Sequence, residues 1–129
     1  MHPFRAAIEA RDIDAVVALL SEDVVFHSPV VFEPYHGRET VAAILHAVSR
    51  VFEDFRYVRE IGAHDGVDHA LVFQACVGER QVEGSDFVHL DEDGSIAELT
   101  VMVRPLSAAH ALADAMNAQF AAAPDTART

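Results

Sequence analysis

The stretch D-V-V-F-H-S-P-V-V-F-E-P-Y-H-G-R-E-T-V, Asp23 to Val41, decides how the rest of the chain is read. Val24 to Val31 is rich in β-branched residues and reads as a strand. Pro29 cannot donate to a ladder, so the strand leaves its sheet there. A loop marked by Pro34 and Gly37 follows, and Arg38 opens a helix running to about Phe52. Val41, Ile44, Leu45, Val48 and Phe52 form that helix's apolar stripe, with Arg38 and Thr40 outside it. His27, Ser28, Glu33, Tyr35 and His36 stand among valines and phenylalanines where a purely structural segment has no use for them.

On the N-terminal side the period is helical. Phe4, Ala7 and Ile8 give one short helix, and Asp12 caps a second whose stripe is Ile13, Val16, Val17 and Leu20, ending at Ser21-Glu22-Asp23. On the C-terminal side the period changes to two. Phe55–Gly62 is a strand, His64-Asp65-Gly66 a turn, and Ala70–Val77 the next strand, with Leu71, Phe73, Ala75 and Val77 on one face. Gly78-Glu79-Arg80 turns into Gln81–Leu90, and Asp91–Gly94 turns into Ile96–Arg104. Pro105 stops the sheet, and Ser107 is positioned to cap a last helix carrying Leu112, Met116 and Phe120. The final A-P-D-T-A-R-T reads as frayed. The expected architecture is α+β: a strongly curved, mainly antiparallel sheet wrapped around N-terminal helices, a cone-shaped α+β barrel with an extra C-terminal helix.

The totals narrow the function classes. A chain of 129 residues is one domain, 1–129, with 51% apolar and 23% charged residues as in a globular core-forming protein. A net charge of −12 argues against nucleic acid and anionic membrane surfaces, and no apolar run is long enough to span a bilayer. The start M-H-P-F-R-A-A lacks the layout of a signal peptide, and the single Cys76 suits a reducing cytoplasm. The eight histidines show no metal-binding spacing, and there is no phosphate loop or nucleophile elbow, so no metal or cofactor is expected. A small, largely apolar molecule remains as the expected partner.

The segments Asp12–Val30, Glu33–Val41 and Val82–Ile96, with the strand E-L-T-V-M-V-R-P-L, resemble the nuclear transport factor 2-like superfamily in its SnoaL-like and ketosteroid-isomerase-like branch. The resemblance spans nearly the whole chain and implies the cone fold. It also implies cofactor-free isomerase, cyclase or hydratase chemistry, with non-catalytic binding modules on the same fold as the alternative. Carried over by position, the steroid isomerases' catalytic base falls on Ser28, their oxyanion-hole tyrosine on Phe4 and their second oxyanion donor on Asp86. A serine is too weak a base and phenylalanine donates nothing, so the isomerase mechanism as such is not expected.

Asp86 shares a strand face with Val82, Gly84, Val88 and Leu90. It either projects into the cone with a raised pKa, or caps a turn or pairs with an arginine such as Arg104 or Arg56. Ser28 either faces the cavity or bonds nearby backbone. His27 has the opposite parity, yet Pro29 disturbs the alternation, so it stays a candidate acid or base. The expected catalytic set is Asp86, Ser28 and His27. The expected lining is Phe4, Phe26, Tyr35, Phe52, Phe73, Leu99, Val101 and Val103, with Tyr35 at the mouth. On the last strand Glu98, Thr100, Met102 and Arg104 face outward, which points to a homodimer through the outer sheet, unless the C-terminal helix folds over that face.

Overall fold

The computed structural model describes residues 2–122. The chain runs α1 (Pro3–Glu9), α2 (Ile13–Ala18), β1 (Leu20–His27), β2 (Tyr35–His36), α3 (Arg38–Val51), β3 (Glu53–Ile61), β4 (Asp68–Val77), β5 (Arg80–Leu90), β6 (Ile96–Arg104) and α4 (Leu106–Ala122). The six strands lie in the order β2-β1-β6-β5-β4-β3. β1 runs parallel to β6, and every other neighbouring pair is antiparallel. The sheet is open, with β2 and β3 as its edges. Register shifts interrupt the β1–β6, β3–β4 and β5–β6 ladders, and such irregularities bend and twist strands locally.

Alternation in the sequence becomes alternation in burial. Leu71, Phe73, Ala75 and Val77 of β4 and Val82, Asp86 and Val88 of β5 are buried on the inner face, together with Leu99 of β6. The two tight turns use their glycines as read: Gly78 at φ 59 joins Val77 to its partner Arg80, and Gly94 at φ 83 ends the Asp91 turn. The helices close the inner face through Phe4, Val16, Val41, Ile44, Leu45 and Leu112.

Several boundaries differ from the sequence reading. α2 stops at Ala18, and β1 begins at Leu20 rather than Val24, so Leu20 is buried as a strand residue. Its parallel pairing with Ile96, whose amide donates to the Leu19 carbonyl at 2.8 Å, outweighs the continued helical period. β1 ends at His27, before Ser28, because the residue ahead of a proline is held extended and Pro29 has no N–H to offer. Tyr35 and His36 form a short edge strand on β1 instead of a loop. β3 starts at Glu53, two residues early. Asp12 does cap α2, accepting from the Ala15 amide at 3.0 Å. Ser107 does not cap α4, which starts one residue earlier at Leu106, directly after Pro105. Arg38 is not on the outside: its Nε and Nη2 donate to the Leu20 carbonyl at 3.1 and 2.8 Å, clamping α3 to β1. The reading of 123–129 as frayed lies outside the described residues.

Candidate functional site

Between the inner face of the sheet and the helices lies a cavity of about 350 Å³. That is within the size range of small-molecule sites. Its walls are apolar, drawn from Phe4 and Ile8 of α1, Phe26 of β1, Ile44, Leu45 and Val48 of α3, Leu99 and Val101 of β6, and Leu112 and Met116 of α4. Polar groups reach it at three places. Tyr57 and Asp86 lie on the sheet side, Ser28 follows the end of β1, and Glu9, Arg11 and Ser49 come from α1, the turn after it and α3.

Asp86 is buried, and its Oδ2 accepts a hydrogen bond of 2.6 Å from the Tyr57 hydroxyl. The two residues come from strands that are not neighbours. Tyr57 of β3 pairs with Phe73 of β4, and Asp86 of β5 pairs with Leu71 of β4. The phenol therefore reaches across β4 to the carboxyl. Phe55 holds the phenol in place, meeting its ring edge to face at 5.0 Å while stacking on Phe73 at 4.7 Å. Gly84 makes room for this cluster: a Cβ there would stand 2.5 Å from both the Phe73 ring and the Met102 carbonyl. The G-S-D-F sequence thus delivers a carboxyl beside a strand segment that only glycine fits.

Burial is the main cause that pushes the Asp86 carboxyl up to about 7, and the Tyr57 hydrogen bond pulls the other way. Burial first, then the charge of Asp86 and the shared hydrogen bond, push the Tyr57 phenol far above its ordinary value, so it remains a proton donor. Arg5 lies 6.0 Å from the centre of the Tyr57 ring, but its guanidinium is engaged by Glu9 at 3.3 Å and Glu60 at 3.5 Å. Neither arginine weighed as a partner of Asp86 reaches it. Arg104 bonds Glu83 at 3.1 Å, and Arg56 bonds Gln74 and the Asp54 carbonyl. Near neutral pH, Asp86 is thus a carboxyl poised between its two forms. Protonated, it has one oxygen accepting from Tyr57 and a second O–H to give.

Of the other expected site residues, Ser28, Phe4, Phe26, Phe52, Leu99 and Val101 line the cavity with Asp86. Ser28 does both things considered for it, since its Oγ also accepts from the Val30 amide at 3.1 Å. His27 points to the other side of the sheet, 3.5 Å from Glu98, as strand parity requires once β1 continues regularly to its end. Tyr35 sits on β2, tilted against Phe26 at 6.4 Å, and does not line the cavity. Phe73 is covered by Phe55, and Val103 packs into the core beside the cavity, so neither lines it. Among the described residues no group of three or more histidine, cysteine or acidic side chains could hold a metal ion.

Tyr57 was not among the residues singled out. The resemblance directed attention to α1 for the hydroxyl, where Phe4 stands. The available signal was parity: Phe55 and Tyr57 share a strand face, with the charged Arg56 between them, on a strand beside β4.

The SnoaL-like domain profile matches residues 2–99. Among solved structures, a steroid delta-isomerase from Pseudomonas aeruginosa is 42% identical, with 92% of this chain and 86% of that one covered at a TM-score of 0.87. A bacterial protein with a cystatin-like fold from Silicibacter pomeroyi is 40% identical, covering 93% and 84% at the same TM-score of 0.87. A polyketide cyclase-like protein from Pseudomonas putida, 23% identical, shares the fold at a TM-score of 0.68, with 82% and 89% covered. No curated protein matches. With a domain profile over most of its length and relatives at this identity, the chain belongs to the SnoaL-like domain family, on the fold shared by isomerase and polyketide-cyclase-like proteins.

Proposed function

We propose that the chain binds a small, largely apolar carbonyl compound in its cavity and catalyses cofactor-free enolisation, as in an isomerase or cyclase. The observation that supports this reading is the buried Tyr57–Asp86 pair opening on an apolar cavity. Protonated Asp86 donates its free O–H to the ligand's carbonyl oxygen, and Tyr57 holds the other carboxyl oxygen in place. Charge that builds on the oxygen as an adjacent C–H gives its proton to water at the cavity mouth is stabilised by this donor, at low cost in reorganisation. The neutral, buried aspartic acid of ketosteroid isomerase, which donates to an oxyanion, is the same physical device. Ser28 orients the ligand but cannot take a proton from carbon. The substrates that fit are therefore already acidic carbon acids, such as aromatic or polyketide-like 1,3-dicarbonyls. The similarity to a steroid delta-isomerase supports the reaction class.

The test is a thermal-shift screen with aromatic 1,3-diketones, followed by ultraviolet measurement of their tautomerisation. We expect Asp86→Asn and Tyr57→Phe to lower the rate by at least about tenfold. Full rate in Asp86→Asn ends the catalytic reading. The hydroxyl of Ser28, standing where a carboxylate base would be needed, favours a second reading: a module that binds such ligands without turning them over. Binding without rate enhancement in the wild type would establish it. The same proposal places the protein in a reducing compartment, where Cys76 stays free, and pairs two copies through the outer sheet.

A further inference from the structure

Arg11 occupies a backbone position that suits glycine. It follows Ala10 at the C-terminus of α1 with φ 58, where the amide of Arg11 bonds the Ile8 carbonyl and that of Asp12 bonds the Ala7 carbonyl. Helices that end this way take glycine or asparagine at the left-handed position, because a Cβ there is strained. This one carries the longest cationic side chain, and that side chain lines the mouth of the cavity while remaining exposed. Its Nη2 gives one hydrogen bond of 3.3 Å to the Ser49 carbonyl near the end of α3. A guanidinium has five N–H groups, so most of its donors are left over.

The acids around it in sequence are engaged elsewhere. Glu9 pairs with Arg5 at 3.3 Å, Asp12 caps Ala15 at 3.0 Å, and Asp14 faces His46 at 3.6 Å. Among the described residues, no carboxylate lies at salt-bridge distance from Arg11. In a chain of net charge −12, the entrance of an apolar cavity thus carries a cation with no carboxylate at salt-bridge distance among the described residues.

We infer that Arg11 is a subsite for a ligand carboxylate, so that the cavity takes an amphipathic molecule with its oxygen at Asp86 and Tyr57 and its acid at the mouth. This rests on the proposed binding of a carbonyl or enol oxygen at Asp86. The planar fork of the guanidinium matches a carboxylate in two-point contact.

The probe is a series of 6-hydroxynaphthalene-2-alkanoic acids of increasing chain length, each with its primary amide, titrated by fluorescence at low salt and about pH 6, where the acids are ionised. At the chain length that spans the two ends, the wild type binds the acid about five- to tenfold more tightly than the amide. Arg11→Gln removes the preference, costing the acid more affinity than the amide, and added salt weakens it in the wild type only. Arg11→Gly loses the preference as well, with a melting temperature no lower than that of the wild type because the backbone strain is relieved. Equal binding of acid and amide at every length overturns the subsite while leaving the cavity reading intact. Failure of the whole series to bind overturns both. A preference that survives in Arg11→Gln, or a lowered melting temperature in Arg11→Gly with the preference retained, shows Arg11 to be only a clasp on α3.

Discussion

Asp86 couples the stability of the fold to its chemistry. Its carboxyl titrates near 3.8 when exposed and at about 7 when folded, so the native state binds this proton more tightly. Protonation therefore favours folding fully below about pH 4. That contribution is lost as pH rises to about 7, amounting to a few kcal/mol over the window. Tyr57 faces the carboxyl from β3, and Arg5 and Glu9 stand beyond the phenol on α1. In urea denaturation between pH 4 and 8, the wild type should lose stability across this window relative to Asp86→Asn. In Tyr57→Phe the hydrogen bond that lowers the Asp86 pKa is gone, so the inflection should move to higher pH. Parallel pH profiles for wild type and Asp86→Asn would show that Asp86 stays ionised throughout. Half of this pair was legible in the sequence. Asp86 sits on an otherwise apolar strand face, a pattern of period two visible locally. Tyr57 was not legible as its partner, because the contact depends on which strand lies between them and on a register containing two shifts.

The strands explain why most of the fold could be read and where reading failed. Alternation on β4 and β5 is strict, so their faces and the Gly78-Glu79 turn between them follow from the residues alone. Errors gathered at Leu20 and Tyr35, where pairing between distant segments overrides local period. At Gly84 that pairing makes a testable demand. The Phe73 ring and the Met102 carbonyl leave no space for a methyl group. Gly84→Ala should cost about 1–3 kcal/mol in urea denaturation, as overpacking of a core does. Phe73→Leu clears the flexible half of the clash but not the backbone half. In the double variant the two costs should therefore add to less than their sum, with recovery incomplete. Strict additivity would mean that Phe73 does not fill the space above Gly84. Loss of the Phe73 ring should also weaken ligand binding, since Phe55 stacks on it and in turn fixes the Tyr57 phenol.

At the scale of the molecule, one face of the sheet remains uncovered. α4 could have folded over the outer face, but Leu112 and Met116 line the cavity, so the helix closes the inner side. The outer face keeps Met102 59% and Phe87 40% exposed, beside Val72 and Cys76. Val72, Ser85 and Met102 lie in register across three strands, with Ala70, Phe87 and Thr100 in the parallel row. The outward groups already have neighbours within the chain: Arg104 holds Glu83, and the His27 ring lies 3.5 Å from Glu98. A pairing of Glu98 with Arg104 across a two-fold axis is therefore not needed. A self-complementary contact would instead centre on Met102 and Phe87, with the in-chain ion pairs at its rim. A stable contact needs about 800 Å² from each partner. Light scattering at micromolar concentration should give twice the 14.1 kDa chain mass. Met102→Asp should yield the monomer, because a dimer would bury two uncompensated carboxylates. The cavity lies on the opposite face of the sheet, so the variant should still bind ligand through Asp86. A monomer mass for the wild type, unchanged on dilution, would remove the dimer without touching the site.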